Sequence, residues 1–346
     1  MTDGDKATSL ELDQASEPKP HSFTLAEMVT CDACLRANPP TRARCLYCGT
    51  DLPASTTDQE TQPAGETTDR AVNAGDGYYV VLTPNQTRIS SEAALTEIAT
   101  LLHLNTTEVQ SVVDRSRTFP VARAATPEQA LKITEKLRAL GIEADTFTGD
   151  GLTLDNPIKK IRALEFSDDG FIAVPLSDGG RVSTPWDDLI LIIAGRLLVN
   201  RVEVEERRRR GRPKPLDTRE LFSDEAVLDL YTRSSDAGCR ITSNGFDFSC
   251  LGAAKAMTAF ENFTTLLTQL CERALNVELD DSYVSLRPAL RNVWPVEAQT
   301  RKGDWRRSGA GKFDMSTITT QDNESQFNSY SRLRHLLKLR EMGGSG

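Results

Sequence analysis

The sequence predicts a multidomain chain: a small module organised by four cysteines, an α/β unit of element order βααβαβ, and a larger α+β unit built on an antiparallel sheet. Three observations carry this. Two Cys-x-x-Cys pairs, Cys31/Cys34 and Cys45/Cys48, are separated by ten residues. Residues 78–148 alternate short β-branched or aromatic runs with segments of helical periodicity. Residues 155–300 open with alternating strands punctuated by Asp-Gly and Gly-Gly turns and close with a long apolar-faced segment.

The chain has 346 residues, 38% hydrophobic and 26% charged, which is enough for two or three domains of ordinary composition. No run reaches the ~18 apolar residues of a membrane-crossing helix. The best candidate, residues 189–199, is short, contains Arg196 and reads as a buried strand. The start, Met-Thr-Asp-Gly-Asp-Lys, lacks the apolar core of a secretory signal. With seven cysteines and a thiolate site, a reducing cytoplasmic setting is expected. Net charge is −9, and residues 1–76 carry most of it, with 6 Lys and Arg against 13 Asp and Glu. Such an acidic chain disfavours general nucleic-acid binding but leaves room for a local basic patch.

Residues 1–25 mix Asp, Glu, Ser, Thr and Pro without periodicity and are expected to be a disordered arm. Residues 26–54 form the cysteine module, and 55–77 a flexible linker that lets the module move independently. Two residues between paired cysteines allow both sulfurs of a tight turn to reach one ion at ~2.3 Å. Asn38-Pro39-Pro40 supplies turn chemistry between the pairs, and Gly49 suits a positive φ after the second. Cys31, Cys34, Cys45 and Cys48 are therefore the candidate ligands of one structural Zn²⁺. Four thiolates leave no position for water or substrate, which argues against zinc catalysis.

The Cys-Leu-Tyr-Cys-Gly ending and Ala43-Arg44-Cys45 resemble the bacterial zinc ribbon found in many multidomain cytoplasmic proteins. The cysteine spacing and Asn38 are also similar to the Ran-binding-protein type of zinc finger, whose members bind single-stranded RNA or ubiquitin. RNA binders of that family carry a tryptophan two residues before the first cysteine and an aromatic after the asparagine. Here those positions are Val29 and Pro39, so the stacking surfaces are missing and the plain ribbon is favoured.

In 78–148, Tyr78-Tyr79-Val80-Val81-Leu82 is a strand, and Ser90 or Ser91 caps a helix carrying Leu95, Ile98, Leu101 and Leu102. A second helix from about Thr107 carries Val109, Val112 and Val113, and 119–122 is a strand. Thr126-Pro127-Glu128-Gln129 starts a third helix that Gly141 ends, and 142–147 closes the sheet. This order, with the capped helix and Leu-Gly turn of 126–144, resembles the C-terminal domain of the bacterial ribosomal stalk protein. It also resembles the adaptor that feeds N-degron substrates to the Clp protease. Both are non-enzymatic docking modules, so the likeness implies protein binding; the adaptor's degron-binding residues do not map onto this chain.

In the 155–340 unit, 161–166 and 171–176 form a hairpin about Asp168-Asp169-Gly170, followed by strands at 181–184 and 189–194. Residues 197–205 continue the sheet past Gly195, expected as a bend or bulge. After a basic loop at 207–215, strands are expected at 226–231 and 239–248. A helix over 251–275 then turns Phe260, Phe263, Leu266, Leu267 and Leu270 to the core. The arrangement resembles a pleckstrin-homology-like sheet with a covering helix. Residues 301–315 read as a loop. Phe327, Tyr330, Leu333 and Leu337, interleaved with Arg332, Arg334, Lys338 and Arg340, predict a basic amphipathic C-terminal helix, with 341–346 a disordered tail. Cys239, Cys250 and Cys271 have apolar neighbours and read as core thiols.

Residues 207–215 read Arg-Arg-Arg-Arg-Gly-Arg-Pro-Lys-Pro, and Arg210, Gly211, Arg212 and Pro213 resemble an AT-hook. The resemblance implies arginines along an A·T-rich minor groove and flanking cations on phosphates. The alternative is a solvated loop facing Glu203, Glu205 and Glu206. His21, His103 and His335 stand apart from any nucleophile, and neither Asp187-Asp188 nor Asp280-Asp281 has partners of catalytic type. Glycine-rich phosphate cradles are absent. The function expected is a zinc-binding, non-enzymatic adaptor that recruits a protein partner. Its rival is a DNA-associated regulator acting through 207–215, with an enzyme assembled in the large unit a distant third.

Overall fold

The structure, a computed structural model, describes residues 28–52, 77–83, 91–152, 158–177, 180–209, 214–296, 298–304, 306–309 and 312–343. The expected arm, almost all of the linker, the end of the tail and His21 lie outside the described residues.

The small unit has the order read from its sequence: β3 (Tyr78–Leu82), α1 (Glu92–Leu102), α2 (Thr106–Asp114), β4 (Phe119–Ala124), α3 (Pro127–Ala139) and β5 (Ala144–Thr148). Its sheet is antiparallel with β3 in the middle, so Tyr79 to Leu82 are all buried. The local chemistry explains the boundaries. Ser91 accepts from Ala94 N, and Thr126 from Gln129 N, whose own side chain takes Ala125 N. Asn105 and Glu108 form a reciprocal capping box that starts α2. Gly141 stands at φ 84, where a Cβ is disfavoured.

The large sheet contains β6 (Lys159–Phe166), β7 (Gly170–Pro175), β8 (Val182–Pro185), β9 (Leu189–Arg209), β10 (Lys214–Thr232), β11 (Cys239–Thr242), β12 (Glu278–Asp280), β13 (Ala298–Lys302), β14 (Arg306–Gly309) and β15 (Lys312–Asp322). Its order is β13-β15-β9-β10-β11-β6-β7-β8, with β12 beside β9 and β14 beside β15. It is mostly antiparallel, but β11–β6 and β12–β9 are parallel pairs, which corrects the expectation of a purely antiparallel sheet. The spine is β9: β10 flanks one side throughout, and β12 then β15 flank the other. At ~3.3 Å per residue it is about 70 Å long.

Several expectations are corrected here. Residues 207–209 and 214–215, expected in a loop, belong to β9 and β10: Arg207 lies opposite Lys214, and Arg208 and Arg209 pair with β15. Residues 301–315, also expected as a loop, supply parts of β13, β14 and β15; the β-branched run at 317–320 pairs along β9 as the Gly, Lys and Arg content did not suggest. Gly195 is neither bend nor bulge. It pairs in register with Val227, and a Cβ there would lie 2.3 Å from Phe327 Cε2. The 251–275 helix is two pieces, a 3₁₀ segment Phe248–Ala254 and α4 (Ala259–Arg273), which starts on a Thr258/Glu261 capping box. Phe260, expected in the core, is exposed.

Two cores cover the near half of the β9–β10 pair. On one side Ile161, Leu164, Phe171, Trp186, Ile192, Leu228, Leu230 and α4's Phe263, Leu266 and Leu270 pack together. On the other, Leu191, Ile193, Val227 and Tyr231 join Tyr79, Ile98 and Leu137 of the small unit through Phe327, Tyr330, Leu333 and Leu337. Burial on both faces is why 189–193 is continuously apolar.

The last four aromatic and leucine residues belong to α6 (Glu324–Gly343), which lies between the small unit and the sheet. The basic amphipathic helix expected here is thus docked on its own chain, and much of its polar side is buried too. Arg332, Arg334 and His335 are all buried. Arg334 donates to Asp280 at 2.6 Å, Glu278 at 2.8 Å and the Thr118 carbonyl at 3.2 Å. Asp280, expected in a loop, ends β12 fully buried and also accepts from Tyr330 Oη and Ser282 N, with Arg117 3.7 Å away. Burial alone would raise this carboxyl, but Arg334 and these donors hold it below its usual range. A second buried pair, Arg240–Asp229, is bidentate at 2.7 Å, and Ser331 of α6 donates to the same carboxylate. His335 stacks on Tyr231 at 4.2 Å, with Arg332 donating to its Nδ1 at 3.0 Å. Among the described residues no helix is long and apolar enough to cross a membrane.

Candidate metal centre

The cysteine module is two copies of one local design, fourteen positions apart. In the first, Leu35 N donates to the Cys31 carbonyl and Cys31 N to the Arg36 carbonyl. In the second, Gly49 N donates to Cys45 and Cys45 N to Thr50. Both turns end on a positive φ, 58° at Leu35 and 75° at Gly49, so the left-handed residue anticipated after the second pair occurs after both. Short pairings close each half: β1 (Val29–Thr30) with β2 (Ala37–Asn38), and the Arg44–Asp51 bridge.

The turns bring Cys31, Cys34, Cys45 and Cys48 together, with all four Sγ atoms within 4.8 Å of one another. Cys31–Cys48 and Cys34–Cys45 are 3.6 and 3.5 Å apart. A tetrahedron with ~2.3 Å metal–sulfur bonds has edges of about 3.8 Å, so the donor set fits one tetrahedral ion. Burial pushes the Cys31 thiol up to about 11, aided by the adjacent Cys48 sulfur, and Cys34 higher still. Burial opposes ionisation at Cys45 as well, yet the N–H groups of Tyr47 and Cys48, the Cys34 sulfur and the Asn38 amide draw it down to about 6.

Asn38 bridges the halves. Fully buried, it donates to the Arg36 carbonyl at 2.9 Å and to Cys45 Sγ at 3.4 Å, and accepts Leu46 N at 2.9 Å. Sequence spacing marked this residue only as a family likeness and a turn former.

Rather than standing clear of the rest, the module is seated on the large unit. Asn200 of β9 donates to the Leu35 carbonyl at 3.0 Å, with both residues buried. The Arg36 guanidinium lies over the rings of Tyr47 and β10's Phe222, at 4.7 and 4.2 Å. Arg287, only 3% exposed, donates to the Asp32 carbonyl inside the first knuckle, while its Nη1 has no hydrogen-bond partner among the described residues. Burial lowers this guanidinium's pKa, and Tyr283, Cys31, Asp32 and Cys34 act against that. Neither Asn200 nor Arg287 carried a sequence signal, since each meets the module across more than 160 residues.

The other candidates separate. Arg207 lies in β9 and makes a bidentate pair with Asp314 of β15, at 2.7 and 2.9 Å. Of the acids expected to face these cations, Glu205 also acts on Arg207, after Asp314. Arg210, Gly211, Arg212 and Pro213 lie outside the described residues. Asp187 and Asp188 sit in the 3₁₀ turn Trp186–Asp188. His103 caps α1 with φ 54. Cys239, Cys250 and Cys271 are half-buried against the α4-side core, where burial raises each thiol. A groove of about 680 Å³ lies between α1 and α3, lined by Glu92, Thr96, Leu101, Lys136 and Leu140 among others.

Compared with protein-family models, curated proteins and solved structures, the chain matches none.

Proposed function

We propose that this chain is a zinc-binding, non-enzymatic interaction protein in which one structural Zn²⁺, held by Cys31, Cys34, Cys45 and Cys48, staples together the two knuckles of the N-terminal ribbon that packs on the long sheet. The carrying observation is the closed set of four sulfurs with edges of 3.5 and 3.6 Å between duplicated knuckles. When bound, the ion supplies the charge that keeps four thiolates together, and it offers no open position for chemistry. Four thiolates and Zn²⁺ leave a charge of about −2, and buried Arg287 is the cation placed to offset it. Thiolate tetrahedra also hold iron. Elemental analysis of the purified chain should give one zinc per chain and no iron, and a Cys31→Ser, Cys34→Ser variant should lose it. Stoichiometric iron, or full retention of zinc by that variant, overturns the assignment.

The adaptor role rests on the βααβαβ unit at 78–148, whose α1–α3 groove has an apolar floor of Ala93, Leu101 and Leu140 for a protein partner in the cytoplasm. The division into 26–54, 78–148 and 155–340, and the pleckstrin-homology likeness of the last, belong to the same proposal. Partner binding that survives high salt and is lost in Leu101→Asp supports it. Binding unaffected by that change removes the groove from the account.

A further inference from the structure

The far end of the large sheet gathers two basic segments that lie about ninety residues apart in sequence. Their described residues, within 205–217 and 301–314, hold nine Lys and Arg against five Asp and Glu, a net +4 in a chain of −9, so the remainder carries −13. Strand register puts them together. Arg307 of β14 lies opposite Phe313, which lies opposite Arg208, while Lys312 faces Arg209 and Arg207 faces Lys214. Arg207 is neutralised by Asp314, but Arg301, Lys302, Arg306 and Arg307 are exposed and have no carboxylate partner among the described residues. They occupy an outer edge, since β13 and β14 pair only with β15 and every residue of β13 is exposed.

We propose that this edge binds duplex DNA through its phosphates, with Arg301, Lys302, Arg306 and Arg307 as the contacting cations. By register, Arg301 and Arg307 lie opposite Ile318 and Phe313, so at ~3.3 Å per residue they span about 17 Å, the rise of about five base-pair steps. Phosphates repeating along a duplex match such a row. Single-strand binding needs several stacking rings, and among the described residues of this end only Phe313 is an exposed aromatic. Cations on an open edge also keep two sheets from pairing, but one or two suffice for that, and here the excess among the described residues is four. The site is independent of the zinc staple.

The test is fluorescence anisotropy of the full zinc-loaded chain with a labelled 30-base-pair mixed-sequence duplex across a salt series. Four phosphate contacts predict a log–log salt slope of about −3.6. A variant with Arg301, Lys302, Arg306 and Arg307 all changed to Gln should lose at least tenfold in affinity at 100 mM salt, with a flattened slope and an unchanged melting temperature. Should that variant misfold, the pair Arg306→Gln and Arg307→Gln should lose about half of the slope. No duplex binding at 50 mM salt, tighter binding of the single strand, or wild-type affinity in a folded variant each overturns the proposal.

Discussion

The two halves of the β9–β10 pair share one ladder and almost nothing else. Near its start, Leu191, Ile193, Val227 and Leu228 are wholly buried between two cores. Farther out, Arg201, Glu205, Thr218, Glu220 and Leu221 are exposed, and the cover is the cysteine module on Asn200 and Phe222. Backbone pairing continues past the point where hydrophobic burial stops, with one register shift in the far half between Pro215 and Asp217. The near half is therefore held by its cores, while the far half is held by neighbouring strands and a cap built around four clustered cysteines.

That contrast breaks most visibly at the buried charges. Asp280→Ala in the near half removes the buried carboxylate shared by Arg334, Tyr330 and Ser282 N, leaves Arg334 only the half-buried Glu278, and should cost about 3 kcal/mol by urea unfolding. Thr319→Ala on the far half should stay within about 0.5 kcal/mol. Gly195→Val drives a Cβ into the Phe327 ring and should cost about 3 kcal/mol, read as a fall in unfolding midpoint at unchanged slope.

A pH experiment sharpens the same comparison. Burial and the adjacent Arg332 lower His335 to about 4 in the folded chain. The unfolded chain binds this proton first, at its ordinary value near 6.5. Its neutral form therefore favours folding above that value, and the contribution is lost as pH falls from 6.5 towards 4. Between pH 7.5 and 4.5 the wild type should lose about 2 kcal/mol more than His335→Leu. An identical pH dependence in the two chains would remove His335 from the explanation. Smallest in global stability is zinc chelation. It should raise amide exchange in residues 29–52 and around Asn200 and Phe222, and leave 189–195 protected. Uniform loss of protection would mean that the two halves are not held separately.

What the sequence disclosed follows the range of the interactions. The four ligands were legible because a knuckle is built from residues within five positions of one another. The βααβαβ order was legible because Ser91, Thr126 and Gly141 act on their own turns. The outer strands were hidden because cations and threonines replace the apolar alternation that marks a half-buried strand. In α6 the periodicity of Phe327, Tyr330, Leu333 and Leu337 identified the helix. Its Arg334, however, meets Asp280 and Glu278 some fifty residues away, and no local pattern shows that it is buried. Asn200 and Arg287 are the same lesson at longer range.

The staple itself is tested most directly by zinc-edge X-ray absorption on the purified full chain. Four sulfur neighbours at about 2.3 Å and no lighter neighbour are expected. An oxygen or nitrogen bound to the metal, or fewer than four sulfurs, would contradict a closed four-thiolate site.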